Sequence, residues 1–395
     1  MAFCEQYMLR AIELARKGKG AVNPNPLVGA VIVKDGRIIG EGYHASYGTL
    51  HAERDAFANL TEDATGAEMY VTLEPCCHYG KQPPCVEAIV EHKIAKVYVG
   101  SDDPNEKVAG KGIIYLKEHG IAVETHCMKE ECDALNYVFF HYITTKKPYV
   151  IAKYAMTMDG KIASYTGKSQ WISNETSRAL VQEMRNEYVG IMVGIGTVLT
   201  DNPMLTCRIP NGRNPIRIVC DTRLRIPLDC KLVQTADVNP TIVAYGAGFE
   251  QPDKLADLET AGVVLISVPV VENHIDLKVL MHQLGERQID SILLEGGGMI
   301  NYSAFEADIV NEVAKATGIE KVTVQTVVES FMESVKGSLA NGNPVYLRGF
   351  GSFIIKHRAE KAARNITKKT TITIPAHDIP AFKPAKVFVA EVKTK

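Results

Sequence analysis

The sequence contains no apolar run that approaches the roughly 18–20 residues of a membrane-spanning helix. It has no low-complexity tract, and its 46% of apolar and 23% of charged residues exclude a disordered chain. Nine cysteines are an odd number for a disulfide framework in a chain of 395 residues, so we expect reduced thiols in a cytosolic protein. The first 20 residues place charges inside an apolar face, which predicts an amphipathic helix rather than a signal peptide.

A net charge of −2 conceals an uneven distribution of charge along the chain. Residues 308–395 contain 14 Lys+Arg against 8 Asp+Glu, whereas residues 1–307 contain 30 against 38. This asymmetry indicates that only the C-terminal part meets a polyanion. The length favours two or three domains, and compositional breaks near Lys147 and at 304–307 set their boundaries. The predicted domains are 1–146, 147–305 and 306–395.

Strands and helices alternate through residues 1–305, which predicts layered α/β domains. Two apolar runs on either side of Asp35-Gly36 predict a β-hairpin. The predicted helices span 6–18, 49–60, 85–92, 110–119, 130–142, 176–185 and 277–285. Beyond the hairpin, the predicted strands span 67–75, 95–100, 190–193, 215–220, 241–245, 262–268 and 291–294.

A histidine, a glutamate and two cysteines form the most specific chemical motif in the sequence. His51 and Glu53 lie in a predicted helix, and Cys76 and Cys85 follow the next predicted strand, each directly after a proline. One imidazole and two thiolates leave the fourth position of a tetrahedral zinc ion open for water, whose pKa the metal lowers towards 7. Glu53 would then carry the proton from this water to a leaving amine, as in zinc deaminases.

Two neighbouring residues are competing candidates for the metal. Cys77 and His78 directly follow Cys76, and we expect the Cys77 side chain to point elsewhere because it adjoins a ligand. The plain alternative is a chance histidine beside cysteines that are inert core residues.

The segments NPNPLVGAVIV, GYH, HAE and EPCCHYGKQPPC resemble the deaminase half of the bifunctional riboflavin-biosynthesis deaminase/reductase family. The resemblance implies a cytidine-deaminase-like domain with three αβα layers. Its implied substrate is a pyrimidine ribosyl phosphate, 2,5-diamino-6-ribosylamino-4(3H)-pyrimidinone 5′-phosphate. Asn23 and His44 would help to hold the pyrimidine and its sugar phosphate, although a turn asparagine and a loop histidine are ordinary alternatives.

The segments PYVIAKYAMTMDGKIA, GKSQWIS and ILLEGGG resemble the reductase half of the same family. The resemblance implies a dihydrofolate-reductase-like α/β fold that uses NADPH to reduce a ribose to a ribitol. The implied cofactor-binding residues are Ala155, Trp171, Thr197, Asp201, Gly296, Gly297 and Gly298. The implied residues for the reductase substrate are Ser169, Arg185, Leu205, Arg208 and Glu295. Surface salt bridges are the alternative for the arginines, and plain packing is the alternative for the tryptophan.

The family pattern breaks off after Gly298, because the further helix and closing strands of the reductase do not follow. We therefore expect a C-terminally truncated reductase with weak or no activity. The loss of these elements would expose apolar sheet surface and leave residues 262–305 locally soft.

Two helical stripes and a set of basic strands characterise the C-terminal segment. The stripes are Ile309, Val313 and Ala316, then Val324, Val327, Val328, Phe331 and Val335. The segments VYLRGFGSF and IPAFKPAK resemble the HU/IHF family, which implies an HU-like α+β homodimer whose β-arms enter the minor groove of duplex DNA. The implied DNA-binding residues are Arg348, Lys356, Arg358, Lys361, Arg364, Ile366, Lys368, Lys369, Lys383 and Lys386. Ile366 stands where the arm tip commonly has proline, which leaves the strength of bending open, and a solvated basic hairpin is the alternative for the whole arm.

The leading interpretation is a fusion of a zinc deaminase, a truncated reductase and an HU-like DNA-binding module. An alternative is a DNA-architectural protein that carries relic enzyme domains. A deaminase of nucleic-acid bases is disfavoured because the enzyme motifs match the small-molecule family. The sequence leaves open whether the fusion is a natural gene or a joining artefact. We expect a location in the bacterial cytoplasm without membrane contact, with association to the nucleoid through the C-terminal module.

Overall fold

A computed structural model describes residues 3–80, 82–153, 155, 172–271, 273–296, 318, 320–348, 350–365 and 370–393. These residues form two compact units, the first within 3–296 and the second within 318–393. None of the helices in these ranges is long and apolar enough to cross a membrane.

A five-stranded sheet forms the centre of the N-terminal part of the first unit. Its strands are β1 (Gly29–Lys34), β2 (Arg37–Tyr43), β3 (Glu68–Leu73), β4 (Lys96–Ser101) and β5 (Ala122–Glu124). Their order is β2-β1-β3-β4-β5, with antiparallel pairs around β1 and parallel pairs from β3 onwards. Asp35 and Gly36 join β1 to β2 with φ values of 49° and 74°, as a tight hairpin turn requires.

Helices cover both faces of this first sheet. They are α1 (Glu5–Arg16), α2 (Ala52–Ala58), α3 (Cys85–Glu91), α4 (Lys111–Glu118) and α5 (Lys129–Asp133). Apolar residues of α1 and α5 pack on one face, where Met8 and Cys132 belong to one buried cluster with Val31. Residues of α2, α3 and α4 form a separate cluster on the other face. The predicted three-layer αβα domain is therefore confirmed.

A six-stranded parallel sheet forms the rest of the first unit. Its strands are β6 (Tyr149–Ala152), β7 (Gly190–Gly194), β8 (Ile216–Cys220), β9 (Thr241–Gly246), β10 (Val264–Val268) and, after a two-stranded ribbon, β13 (Ser291–Leu294). The ribbon consists of β11 (Val270–Val271) and β12 (His274–Ile275). The sheet order is β10-β9-β8-β7-β13-β6, with every neighbouring pair parallel. The predicted second α/β domain is thus confirmed.

In the described residues between 137 and 296, six helices accompany the second sheet or lead into it. They are α6 (Tyr137–Thr145), α7 (Glu175–Glu187), α8 (Ile195–Asp201), α9 (Lys231–Gln234), α10 (Pro252–Thr260) and α11 (Leu277–Glu286). Gly285 of α11 lies against the carbonyl oxygen of Lys146, which follows α6, so closely that a Cβ at this position would overlap it. Glycine is therefore required where these two helices meet.

The predicted helix over 130–142 is wrong as one element, because the chain divides it into α5 and α6. Asn136 interrupts it and is 2% exposed. Its side-chain oxygen accepts a hydrogen bond from Leu27 N at 2.8 Å, and its nitrogen donates to Leu27 O at 2.9 Å. These tertiary contacts override the helical periodicity of the sequence.

Residues 262–305, for which local softness is expected, include the strand β13. All four residues of β13 are buried, and β13 pairs with both β7 and β6. In the described part of the chain this sheet has two edge strands, β6 and β10, on which Val150 is 37% and Val264 is 47% exposed. None of the residues of α7 is buried. The exposed surface of the second sheet therefore lies at its two edge strands, β6 and β10, and along α7, whereas β13 is buried.

Within its described residues the second unit contains one long helix and antiparallel strands. Its helices are α12 (Lys321–Ala340) and α13 (Lys386–Lys393). Its strands are β14 (Val345–Leu347), β15 (Gly351–Arg358), β16 (Lys361–Asn365), β17 (Thr370–Ile374) and β18 (His377–Pro384). A three-stranded sheet has the order β14-β15-β18, and β16 pairs with β17 as a separate ribbon.

The second predicted helical stripe lies on α12, and Val324 is its buried member at 3% exposure. Val327 and Phe331 are 62% and 46% exposed. The first stripe, Ile309, Val313 and Ala316, lies outside the described residues. The predicted α+β composition of this module agrees with its long helix and antiparallel ribbons.

Candidate active site

Three chain segments bring the histidine and the two cysteines together in the first unit. His51 directly precedes α2, Cys85 is the first residue of α3, and Cys76 lies in the loop after β3. Parallel strands such as β3 and β4 commonly end at the edge of a sheet where helices begin and ligands bind. The local order strand, loop and helix therefore places all three side chains at one sheet edge.

The geometry of this cluster fits a tetrahedral metal ion. The donor atoms of His51, Cys76 and Cys85 all lie within 4.8 Å of one another. The Nδ1 atom of His51 is 3.4 Å from the sulfur of each cysteine. The backbone N–H of Cys85 also donates to the Cys76 sulfur at 3.4 Å. One nitrogen and two sulfur donors are a ligand set that suits zinc and leaves one position for a further ligand.

The Cys76 sulfur has the ionisation that a metal ligand needs, whereas its hydrogen bond with Cys85 raises the pKa of the Cys85 thiol well above the ordinary value. The hydrogen bond from Cys85 is the main cause that lowers the pKa of Cys76 to about 4, so this sulfur is a thiolate at neutral pH. The hydrogen bond with Cys76 raises the pKa of His51 above its ordinary value. The thiolate is the form that binds metal.

A buried carboxyl group lies beside the cluster. Glu53 is on the first turn of α2 and is 3% exposed. Burial raises the pKa of Glu53 to about 7, with a further contribution from the charge of Cys76. A carboxyl group with a pKa near neutrality can both accept and release a proton, as a general acid–base residue must.

The two competing candidates lie apart from the cluster. The sulfur of Cys77 is 3.6 Å from the carbonyl oxygen of Lys107, and burial raises the pKa of this thiol. Cys77 also packs against the core cluster on the sheet face that α2, α3 and α4 cover. The Nδ1 atom of His78 is buried and has no hydrogen-bond partner among the described residues. The geometry therefore groups His51 with Cys76 and Cys85 and leaves both neighbours outside.

His44 lies next to the cluster in its neutral form. Its ring is edge-on to that of His51, with 5.5 Å between the centroids. Its Nδ1 atom is 2.9 Å from the carbonyl oxygen of Leu50, and its Nε2 atom is 3.1 Å from the amide nitrogen of Asn25. Since a carbonyl needs a donor and an amide NH₂ needs an acceptor, the proton sits on Nδ1. Burial lowers the pKa of His44 and supports this form.

Asn23, the other predicted substrate residue, faces a different partner. Its side-chain nitrogen donates to a carboxylate oxygen of Asp290 at 2.7 Å. Asp290 precedes β13, so this bond joins the deaminase-like part to the parallel-sheet part of the first unit. The predicted contact of Asn23 with the pyrimidine remains a prediction.

Sequence reasoning missed three residues that shape the site. Asn25 holds the ring of His44, and Asp103 is a buried carboxyl that accepts a hydrogen bond from Asn105 N at 2.8 Å. Glu74, two residues before Cys76, accepts hydrogen bonds from the backbone at the start of α4. The segment NPNP contains Asn25, and Glu74 directly follows the apolar strand β3. A polar residue directly after an apolar strand was therefore the available signal for Glu74.

The predicted phosphate and substrate residues of the second sheet include an internal ion pair. Arg185 on α7 contacts both carboxylate oxygens of Glu295, at 2.7 and 2.8 Å. The two side chains are only 12% and 6% exposed, and Arg185 also donates to the Thr206 carbonyl oxygen at 2.9 Å. The alternative for Arg185 was a surface salt bridge. Arg185 does form a salt bridge, but with little exposure to solvent. Leu205, next to Thr206, is buried with a φ of 53°, a strained conformation of the kind that clusters at functional sites.

The predicted cofactor residues are only partly described. A Cβ at Gly296 would lie 3.1 Å from the hydroxyl oxygen of Thr197, so these two residues are neighbours. Asp201 ends α8 and is exposed, as is Arg208, and Ala155 is partly exposed. Ser169, Trp171, Gly297 and Gly298 lie outside the described residues.

Five of the predicted DNA-binding residues are exposed on the second unit: Arg348, Lys356, Arg358, Lys383 and Lys386. Every second residue of β15 lies on the same face of the sheet, so Lys356 and Arg358 share a face with Ser352. Lys383 on β18 is the cross-strand partner of Ser352 and lies on that face as well. Lys356, Arg358 and Lys383 therefore share one sheet face. Arg348 is an exposed residue after β14, and Lys386 begins α13. Lys361 and Arg364 belong to β16, whereas Ile366, Lys368 and Lys369 lie outside the described residues.

Three family models match the chain in succession. The cytidine and deoxycytidylate deaminase zinc-binding region matches residues 1–101. The RibD C-terminal domain matches residues 148–315, and the bacterial DNA-binding protein family matches residues 305–393. The metal cluster thus lies inside the first match and the exposed basic face inside the third.

Relatives and solved structures cover the first two matches together. A riboflavin biosynthesis protein RibD of Actinobacillus pleuropneumoniae is 54% identical over 307 residues, which are 78% of this chain and 81% of the relative. A deaminase/reductase of Thermotoga maritima is 43% identical, with a TM-score of 0.66 over 74% of this chain and 80% of that structure. A RibD structure of Acinetobacter baumannii is 37% identical, with a TM-score of 0.69 over 77% of this chain and 83% of that structure.

Proposed function

Because the chain belongs to the RibD family of bifunctional riboflavin-biosynthesis deaminase/reductases, we propose that it deaminates 2,5-diamino-6-ribosylamino-4(3H)-pyrimidinone 5′-phosphate. Membership in this family confirms the resemblance on which the deaminase and reductase predictions rested. The observation that carries the proposal is the buried Glu53 beside three metal-ligand side chains. We assign the domains to 1–146, 147–305 and 306–395, with the deaminase first.

His51, Cys76 and Cys85 would hold the zinc ion through one nitrogen and two sulfurs. When bound, zinc acts as a Lewis acid that makes water acidic enough to attack at neutral pH. The carboxylate of Glu53 takes the proton of the attacking water and delivers it to the exocyclic amino group, which leaves as ammonia. Asn23 and the neutral His44 orient the pyrimidine and its sugar phosphate beside this carboxylate.

The test compares two substrates on the same preparation of the full chain. Ammonia release from the pyrimidine ribosyl phosphate, together with about one zinc per chain, supports the proposal. Ammonia release from single-stranded DNA alone would instead indicate a base deaminase, and the absence of release from either would favour the relic interpretation.

We propose that the reductase half binds NADPH weakly and turns over slowly. The strongest support is the strand β6, whose outer edge is unpaired in the described part of the chain. The relative from Actinobacillus pleuropneumoniae is matched over 81% of its length, which is consistent with a missing closing segment. Active-site groups need a supporting shell that fixes them to within roughly half an ångström, and an incomplete sheet supplies less of it.

We propose that residues 306–395 bind duplex DNA with little sequence preference and pair with a second copy of the chain. The match to the bacterial DNA-binding protein family and the shared face of Lys356, Arg358 and Lys383 support the first statement. The exposed Val327 and Phe331 on α12 support the second, because a second copy would cover them. This module would bring the enzyme to the nucleoid in the cytoplasm.

A further inference from the structure

We propose that Arg54 is a positioning residue for the metal cluster, because its side chain fixes the two residues that precede Cys85. The Nε atom of Arg54 donates to the carbonyl oxygen of Pro83 at 3.1 Å, and its Nη2 atom donates to that of Pro84 at 2.8 Å. Arg54 lies on α2, whereas the two prolines end the loop that follows Cys76. The inference rests on the proposed zinc site and adds to it a residue that is not a ligand.

The loop between the two cysteine ligands is long enough to need a support from outside. Eight residues separate the two cysteines, a longer spacing than the Cys-x-x-Cys of other zinc deaminases. The backbone hydrogen bond from Gly80 N to Gln82 O, at 3.2 Å, joins two residues of the loop to each other. The hydroxyl of Tyr79 donates to the carboxylate of Glu87 at 2.9 Å, and Glu87 lies on α3. Neither bond connects the loop to α2.

Carbonyl oxygens are the backbone groups through which the end of this loop can be fixed. Proline has no N–H, so Pro83 and Pro84 cannot donate a backbone hydrogen bond. The helix α3 begins at Cys85, and no side chain caps its start. Because uncapped helix ends fray, Cys85 lies in a turn that an additional contact would stabilise. The bond from Arg54 to the carbonyl oxygen of Pro84 supplies this contact at the residue directly before Cys85.

A guanidinium group is suited to two successive carbonyl oxygens. Its Nε–H and one N–H of Nη2 lie in one plane on the same edge, so the group can donate to two acceptors at once. A lysine ammonium is a point charge on a flexible stem and lacks this fixed pair of donors. Pro84 is buried and Arg54 is partly exposed, so the side chain of Arg54 reaches inwards to its acceptor. The orientation of one planar group therefore sets the direction of both carbonyls.

Arg54 connects the segment of the histidine ligand to the segments of the cysteine ligands. It lies three residues after His51 in sequence. The backbone N–H of Cys85 donates to the Cys76 sulfur at 3.4 Å, and the N–H of Val86 donates to the Cys76 carbonyl oxygen at 3.2 Å. These two bonds join the cysteine segments to each other. The bonds of Arg54 join them in turn to the helix that follows His51, so all three ligand segments are connected.

Arg10 provides a matched control. Its Nε and Nη2 atoms donate to the two carboxylate oxygens of Glu41 at 2.8 and 3.0 Å. It lies on α1, which covers the opposite face of the first sheet from α2. Arg10→Ala therefore removes the same pair of donors from the same half of the chain. Ala56 of α2 and Val86 of α3 belong to one buried cluster, so we expect Arg54→Ala to fold.

The test measures the affinity of the full chain for zinc ions by competition with a chelator. Arg54→Ala should weaken zinc binding by about 10- to 100-fold, as the loss of contacts around metal ligands commonly does. Thermal unfolding of the metal-free variant should stay close to that of the parent, which separates positioning from general stability. Arg54→Lys keeps the charge and loses the paired donors, so its zinc affinity should lie nearer to that of Arg54→Ala than to that of the parent. This variant carries the test if Arg54→Ala does not fold.

Zinc affinity and ammonia release together separate this inference from the proposed function. Arg54→Ala should release less ammonia at limiting zinc and recover when zinc is in excess, and a loss that excess zinc does not reverse would overturn the inference. A zinc affinity of Arg54→Ala equal to that of the Arg10→Ala control, or full restoration by Arg54→Lys, would also overturn it. A parent chain that binds zinc, depends on Arg54 for its affinity and releases no ammonia refutes the proposed function and not the positioning.

Discussion

Burial sets the proton affinity of two carboxyl groups near the cysteines. Glu53 is 3% exposed and Asp103 is 7% exposed, and burial raises the pKa of Glu53 to about 7 and that of Asp103 to about 6. Glu53 lies two residues after the metal-ligand candidate His51, whereas Asp103 follows β4 and accepts a backbone hydrogen bond. Burial therefore prepares Glu53 for proton transfer, whereas at Asp103 it lowers the stability of the folded protein.

Glu53→Gln should retain zinc and lose deaminase activity by about 10²–10⁴-fold, because glutamine has the same shape but cannot carry the proton. Metal analysis and ammonia release measure the two effects separately. Cys77→Ser is the control, since Cys77 lies against Lys107 and outside the ligand cluster, and it should keep both zinc and activity. Near-normal ammonia release by Glu53→Gln would refute the role of this carboxylate.

Asp103→Asn should stabilise the protein as the pH rises from about 4 to 7. A carboxyl whose folded pKa is about 6, against 3.8 in the unfolded chain, binds more protons when folded, so it costs stability only above the lower value. The difference in unfolding free energy between variant and parent should grow to about 3 kcal/mol by pH 7. Chemical denaturation at several pH values measures it, with Asp253→Asn on the exposed surface of α10 as the control. A difference independent of pH would contradict the assignment.

At the scale of elements, long periodic segments were predictable and short ones were not. The hairpin at Asp35-Gly36, the helix α11 and the strand β13 agree with the sequence interpretation because turn chemistry and periodicity are local. The strand β5 has three residues and α9 has four, too few for a period to emerge. The break between α5 and α6 depends on Leu27, more than 100 residues away, so no local pattern contained it.

The edge strand β6 should reveal whether the second sheet is closed. The amides of Tyr149 and Lys153 donate to Asp290 and Leu294, so in a parallel pair those of Val150 and Ala152 point away from β13. In hydrogen exchange we expect fast exchange at Val150 and Ala152 and strong protection throughout β13. Equal protection of all four β6 amides would show that a further strand covers this edge.

At the scale of the whole molecule, the composition and motifs were enough to separate an acidic enzyme from a basic module. The three matched families fall in the predicted order along the chain. The metal cluster was predictable because its residues lie within 35 residues of sequence at the ends of regular elements. His51 precedes α2, Cys76 follows β3 and Cys85 begins α3. The contact between Asn23 and Asp290 was not, because two separate sheets must fold before the residues meet.

Reduction of the deaminated product with NADPH should be at least about 100-fold slower than deamination, because displaced site residues cost this much in rate. Measuring both reactions on one preparation uses deamination as the internal standard for folded protein. Turnover at comparable rates would contradict the proposed truncation effect and show that the second sheet is completed.

Affinity for duplex DNA should fall steeply with salt, because the contacts are mainly to phosphate. Replacing Arg364, Lys368 and Lys369 with alanine should weaken binding and reduce the slope of log K against log salt by up to about 3. Ile366→Ala should reduce bending more than affinity, since a wedge acts on the kinked base step. Titrations at several salt concentrations measure the slope, and binding that is insensitive to salt would refute the electrostatic account.

The close approach of Gly285 to Lys146 has a consequence for how such a gene can change over generations. Every codon change that replaces this glycine adds a Cβ, and that carbon overlaps the Lys146 carbonyl oxygen. If the reductase were no longer needed and accumulated substitutions, a single substitution at Gly285 would push α11 away from the end of α6. If selection still requires deamination, glycine should persist at this position in descendants after the reductase residues around it have diverged.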